Sequence, residues 1–308
     1  MSAPHPPRSS ARRRLNDRTT AGWLLAGPAM LGLGLFILLP FLVALAMAFS
    51  NLRLGSPLPL EFVGIKQFQR LFEDPDFVRA LVNNLLFASM IVPLQTALAL
   101  GLALLLNRGL RGTVLFRTLF FMPVVFPMSL VAVVWVLIYA PGPNGMMNGF
   151  LEFITLGAWQ PRDFLRDPAL AMPALVLLSV WQGAGFQMVI LLAGLQQIPR
   201  DLYEAAALDG AKSWNRFRYV TLPQLRNPLI FVVLITTILA FRLFDQVQIM
   251  TRGGPDGATT TIMYEAVQAV FTRQQVARAS AMTVVFFVLV LAVTWLQRRW
   301  ARQEREVL

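Results

Sequence analysis

Apolar residues in this chain run in long unbroken blocks rather than in the alternating pattern of a half-buried strand. Five blocks contain no Asp, Glu, Lys or Arg: residues 19–52, 80–107, 118–151, 168–199 and 279–297. A sixth, 227–241, is shorter and then meets Arg242 and Asp245. A helix needs about 20 mostly apolar residues to cross a hydrocarbon core of ~30 Å. The blocks therefore predict an all-α polytopic membrane protein with six transmembrane helices, at roughly 22–49, 80–106, 116–139, 172–196, 227–247 and 279–297. Pro28, Pro40, Pro93, Pro123 and Pro127 interrupt them. Such breaks are tolerated where neighbouring helices satisfy the freed carbonyls.

Charge orients this array. Of 308 residues 27 are Lys or Arg and 16 are Asp or Glu, a net charge of +11, and only 14% are charged. A soluble domain carries about a quarter. A pI near 11.3 would ordinarily suggest nucleic acid, but most of the chain is too apolar for that and no nucleic-acid partner is expected. With the N-terminus inside, the inner segments hold 17 basic and 6 acidic residues, the outer loops hold 9 of each, and Arg242 cancels Asp245. The whole surplus then lies on one side, as the positive-inside rule requires. The expected organisation is a cytosolic basic tail over 1–20, a six-helix transmembrane domain over 21–297 containing a cytosolic inner loop at 198–226, and a cytosolic tail over 298–308. Both termini are cytosolic.

The counts also exclude chemistry. There is no cysteine, and the single histidine, His5, sits in a Pro- and Ser-rich tail. Thiolate or histidine metal sites and Cys nucleophiles are therefore not expected. The two lysines, Lys66 and Lys212, follow Ile65 and Ala211, so neither supplies the Gly-Lys of a phosphate-binding loop. The chain is not expected to be an enzyme or to bind a cofactor, and any ATP use must come from a partner. Arg12-Arg13-Arg14 before an apolar run, with Ala44-Leu45-Ala46 beyond it, mimics a signal peptide. The run is far longer than a 7–15-residue signal core, so it reads as a retained first helix. No strong internal repeat is visible, which argues against a transporter built from two inverted halves.

Two outer loops carry further pattern. Phe62, Ile65, Phe68, Leu71 and Phe72 fall at helical spacing, as a short helix on the membrane surface or as a docking face for an external partner. Pro141-Gly142-Pro143-Asn144-Gly145 opens the loop 140–171 as a turn.

The inner loop is the most informative segment. Pro199 suits a helix start and Asp201 complements the positive end of its dipole. Gly210 allows the left-handed conformation that ends a helix. A second helix is expected to run to about Val220 and to stop at Pro223. Small Ala205 and Ala206 permit close approach, and Glu204 offers a carboxylate to a basic partner.

Glu204-Ala205-Ala206, three residues, Gly210, nine residues, then Val220-x-Leu222-Pro223 resembles the EAA loop of binding-protein-dependent ABC importer permeases. Val220 stands where Ile is commonest, a conservative departure. Trp181-Gln182-Gly183-Ala184-Gly185-Phe186, Leu192-Ala193-Gly194-Leu195-Gln196-Gln197-Ile198-Pro199 and Phe244-Asp245-Gln246-Val247 with Thr251-Arg252-Gly253-Gly254-Pro255 resemble the carbohydrate-uptake branch. Phe62-Val63-Gly64, Arg117-Thr118-Leu119-Phe120-Phe121-Met122-Pro123 and Asp209-Gly210-Ala211 fit the same pattern. The similarity spans roughly residues 20–297.

The resemblance implies a type I ABC importer permease fold in a bacterial plasma membrane. It implies a second homologous permease, giving a heterodimer, and two copies of a cytosolic ABC ATPase that use ATP and Mg. It also implies an extracytoplasmic substrate-binding protein and a carbohydrate substrate. Glu204, Ala205, Ala206, Asp209, Gly210, Leu222 and Pro223 would form the ATPase-coupling element, with Glu204 meeting a basic residue of the ATPase. Glycerol-phosphate or polyol uptake remains the alternative within the family. A stand-alone secondary transporter or channel, or a non-transporting scaffold, are the alternatives outside it.

A sugar site needs flat apolar faces and a few polar groups. Trp181 falls near mid-membrane on the fourth helix, and Gln182 and Phe186, four apart, share a face. The candidate substrate residues there are Trp181, Gln182, Gly183, Phe186 and Gln187. In the fifth helix they are Arg242, Asp245 and Gln246. Packing between helices is the competing reading for the aromatic and glutamine residues. An ion pair is the competing reading for Arg242 and Asp245. Gln95 is a further, weaker candidate, and Gly253-Gly254-Pro255 is either a plain turn or a contact for the binding protein.

Overall fold

Proline decides where several of these helices bend. The computed structural model describes residues 10–109 and 112–303, with side chains within 22–109 and 112–299. His5, Arg8, Arg111 and Arg305 lie outside the described residues. The first helix runs as α1 (Ser10–Leu33), a π-helical turn at Gly34–Leu38 and α2 (Leu39–Ala48), so helix already begins within the stretch read as a tail. The π turn closes with Leu39 N donating to Gly34 O, immediately before Pro40. A proline ring clashes with the carbonyl four residues back, and the wider turn relieves that clash without breaking the rod.

Short α3 (Lys66–Glu73) lies on the opposite side of the membrane from the inner loop and leads into α4 (Pro75–Leu106). Asp74 caps α4 by accepting from Asp76 N at 2.9 Å, with Pro75 in the first turn. The face predicted over 62–72 is a helix only from Lys66, because Phe62 pairs with Ser50 in an isolated bridge. Leu71 is buried and Phe68 packs on Phe49 at 5.3 Å, so much of that stripe is already covered by the protein.

The third crossing departs from the expected straight helix over 116–139. It is α5 (Thr113–Val125) and α6 (Met128–Ile138), bent by 100°. Phe126 is extended (φ −80°, ψ 140°), as a residue preceding proline prefers, here Pro127. A further helix, α7 (Met146–Ile154), occupies part of the loop 140–171, where the sequence pattern predicts none.

The central helix is α8 (Pro168–Gln196), the most buried of the four unbroken candidate spans. It packs along α4 and α5 through glycines. A Cβ on Gly185 would sit 1.9 Å from the carbonyl oxygen of Phe120 in α5, so only glycine permits the observed approach. A Cβ on Gly183 would sit 2.4 Å from the Gln95 amide nitrogen of α4.

The inner loop folds as α9 (Arg200–Leu208), α10 (Ser213–Arg216), a π turn at Phe217–Thr221 and α11 (Leu222–Gln224). It then bends by 68° into α12 (Arg226–Phe241). The fifth crossing was expected to continue to 247, but α12 ends at Phe241. The freed carbonyls find partners: Asn84 Nδ2 of α4 donates to Phe241 O at 3.4 Å, and Thr261 Oγ1 donates to Leu243 O at 2.9 Å. With those groups satisfied the helix can break inside the protein. A π turn at Val247–Thr251, α13 (Ile262–Phe271) and α14 (Val276–Gln303) complete the order. No strand occurs among the described residues. Four unbroken helices, or six spans with each bent pair taken as one, are long and apolar enough to cross a membrane.

Candidate functional site

The projecting inner loop is built from both ends. Pro199 (φ −58°, ψ 135°) starts α9, and Asp201 lies in its first turn. Gly210 ends it at φ +75°, with Gly210 N donating to Ala207 O at 3.0 Å and Ala211 N to Ala206 O at 2.9 Å. The reversal is therefore the glycine-terminated helix end that the sequence predicts. Pro223, expected to stop the second helix, instead sits in the first turn of α11, and the bend follows at Leu225. The π turn before it widens the helix, as it does before Pro40, so the ring is accommodated.

Two contacts make the loop a stiff body. The Tyr203 and Thr221 hydroxyls, 3.0 Å apart, join α9 to the π turn. Its feet are gripped by a buried cluster of Leu195, Ile198, Leu225 and Val232 with Ala99 and Ala103 of α4. Gly194 lets Pro228 and Leu225 approach, since a Cβ there would lie 2.8 Å from Pro228 Cγ. By contrast α9 has no buried residue. Glu204, Ala205, Asp209, Gly210, Leu222 and Pro223 are exposed and Ala206 is half-buried. Leu208 (90% exposed), Trp214 (66%) and Tyr219 (70%) stand out beside them. A loop that hides none of its first helix and shows this much apolar surface is suited to dock against protein.

Halfway along α8 the candidate substrate residues divide into two groups. Gln187 is buried and its Nε2 donates to Thr236 Oγ1 of α12. Gln246 is buried and donates to Ser179 Oγ at 3.2 Å. Both glutamines, expected as substrate contacts, are engaged between segments of the protein. Trp181 is 46% exposed, its ring 5.6 Å from Trp135 of α6. Gln182 and Phe186 are half-buried, and Gln182 has no hydrogen-bond partner among the described residues. Gly183 serves to admit Gln95, which likewise has no protein partner for its amide among the described residues. Trp181 and Gln182 thus neighbour Gly183, where α4 presents the buried Gln95, and neither glutamine amide is committed to a protein partner among the described residues.

Arg242 and Asp245 are both exposed, and no ion pair joins them. The chain leaves the helix between them, at Leu243-Phe244, so the helical spacing that would have paired them is absent. Arg252-Gly253-Gly254-Pro255 forms a tight turn whose carbonyl at Arg252 accepts from Tyr264 OH at 2.7 Å. Sequence reasoning also missed Asn148, fully buried at the centre of the 140–162 loop. Its Oδ1 accepts from Trp159 Nε1 and Arg162 N, each at 3.0 Å, and its Nδ2 donates to Arg162 O at 2.9 Å. No pattern marks a lone asparagine in a turn-rich stretch.

Several long apolar helices, two further crossings that bend, and a helical loop at one end describe a multi-pass membrane protein. The chain matches the family described as binding-protein-dependent transport system inner membrane component over residues 95–306, and it belongs to that family. It is 33% identical over 288 residues to the lactose transport system permease protein LacF of Rhizobium radiobacter, covering 92% of this chain and 95% of that one. It is 36% identical over 245 residues to the trehalose/maltose transport system permease protein MalF of Thermococcus litoralis, covering 80% and 81%. In fold it resembles a chain of a bacterial ABC transporter involved in the import of alginate, with a TM-score of 0.79 at 23% identity over 94% of this chain.

Proposed function

We propose that the chain is the permease subunit of an ATP-driven importer of a carbohydrate, in a bacterial plasma membrane with both termini in the cytosol. The observation that carries this reading is the inner loop, a clamped helix-turn-helix whose exposed crest bears Glu204, Leu208, Trp214 and Tyr219. A cytosolic ATPase pair binding ATP and Mg would seat this crest, with Glu204 against a basic residue. A stiff element clamped to α4, α8 and α12 transmits motion of that pair to the bundle. A second permease would close the cavity, and an external binding protein would deliver substrate on the opposite side. Trp181 and Gln182 would meet the sugar, the ring against its apolar face and the amide at its hydroxyls. The relatives named for lactose and for trehalose/maltose transport support a carbohydrate.

The test is transport and substrate-stimulated ATP hydrolysis by the reconstituted complex. Glu204→Ala is expected to abolish stimulation while the subunits still assemble. Full stimulation in that variant would overturn the coupling role. Tight nucleotide binding by the purified chain alone would overturn the division of labour with the ATPase.

A further inference from the structure

Helix α7 is apolar on two faces, and the core takes only one of them. Inward, Asn148 is buried and Met147 and Leu151 pack against the cluster that contains Tyr139 and Phe164. Outward, Met146, Phe150, Phe153 and Ile154 fall at i, i+4, i+7 and i+8, a single stripe, exposed by 68%, 57%, 79% and 54%. Just beyond the helix, Leu156 takes a left-handed conformation at φ +53°, uncommon for a bulky residue, and is 94% exposed. A stripe of this size facing water is strongly unfavourable.

The position of α7 says what covers it. It lies at the end of α8 remote from the coupling loop and follows α6 after a short turn. The spanning helix α6 likewise exposes Leu130, Val133, Val134 and Leu137 and touches α7, so the stripe belongs to a helix packed on an apolar crossing. Beside it stand residues suited to a membrane–water boundary. Trp159 is half-buried with the Arg162 guanidinium 5.8 Å from its ring centre, and the Arg166 side chain is 89% exposed. The Asn148 bonds hold the whole unit in one orientation.

We propose that the outward stripe of α7 is inserted in lipid, lying flat in the leaflet opposite the coupling loop, with Trp159 and the Arg162–Asp167 and Arg166–Asp163 pairs at the headgroup boundary. The helix anchors the loop between the third and fourth crossings to the bilayer surface, a role that does not depend on which substrate is carried. Amphipathic helices of this kind sit about 5–10 Å into the headgroup–acyl boundary.

The chain has no cysteine, so each variant carries one labelling site, and the wild-type complex treated in the same way gives the background from the other subunits. Phe153→Cys, Leu156→Cys and, as a polar-side reference, Glu152→Cys carry a nitroxide label. Each is made in the full chain with its co-purifying subunits, in nanodiscs of phosphatidylethanolamine and phosphatidylglycerol. Collision with oxygen and with a water-soluble nickel chelate is then measured. The expected result is oxygen access several-fold above nickel access at 153 and 156, and the reverse at 152. High nickel access at 153 and 156 would place the stripe in water and overturn the proposal. Low access to both reagents would mean that a protein surface covers the stripe, and would overturn it equally. The two sites are read separately, so failure of one variant to assemble leaves the other to decide.

Discussion

The hydroxyl oxygens of Tyr203 and Thr221 lie 3.0 Å apart and tie the first helix of the inner loop to the return segment. Thr221 is buried and also reaches Arg216 O at 3.4 Å, so the clip fastens an exposed helix to an anchored one. A hydrogen bond of this kind contributes about 0.5–1.5 kcal/mol net. Tyr203→Phe and Thr221→Val should each loosen α9 and speed limited proteolysis within 200–210. The double variant should add little to Thr221→Val, which removes the shared bond and the one to Arg216 O together. Additive effects would show that each residue acts through other contacts.

Gly210 faces open space, with nothing within 4 Å of the point a Cβ would occupy, but holds φ at +75°. The cost of a side chain there is therefore conformational, about 1–2 kcal/mol for an L-residue in the left-handed region. Gly210→Ala should impair substrate-stimulated ATP hydrolysis, and Gly210→Asn should impair it less, since Asn visits that region more readily. Equal loss in both variants would point to lost space at the docking face instead of backbone strain.

Gly185 makes the opposite test. Its φ is ordinary but its Cβ position falls on the Phe120 carbonyl. Backbone cannot yield as a side-chain tip can, so Gly185→Ala should separate α5 from α8 at a cost of about 1–3 kcal/mol or more. Gly101→Ala, with nothing within 4 Å, should be neutral. The yield and melting temperature of the purified protein in detergent give the comparison.

The crossings are legible because lipid demands long charge-free runs, and four of the six are unbroken helices. Their breaks are not legible. Pro28, Pro93 and Pro173 sit inside helices, whereas Phe126-Pro127 marks a 100° bend. The difference lies in which neighbours accept or replace the lost backbone bonds, and a linear sequence does not state that. Likewise the break after α12 is held by residues distant in sequence, Asn84 bonding the last carbonyl of the helix at Phe241 and Thr261 the carbonyl of Leu243 just beyond it. The turn at Gly210 needs only local information, and its structure matches the expectation. Helix α7 is hidden because its apolar residues continue the charge-free block of the third crossing.

Gln182 and Gln187, five residues apart on α8, should respond differently to the same change. Gln187 is buried, and its amide nitrogen is committed to Thr236, itself bonded to Val232 O. Gln187→Ala removes a bond between α8 and α12 and leaves a void, so it should lower the melting temperature and the yield of assembled protein. Gln182 has no hydrogen-bond partner among the described residues and is only half-buried beside Trp181. Gln182→Ala should leave stability unchanged and raise the KM for transport, by about tenfold if one hydrogen bond to a sugar hydroxyl of ~1.4 kcal/mol is lost. Measured side by side, a stability loss in Gln182→Ala with normal KM would move that residue to the packing role. A KM change alone in Gln187→Ala would bring the buried glutamine into the transport path.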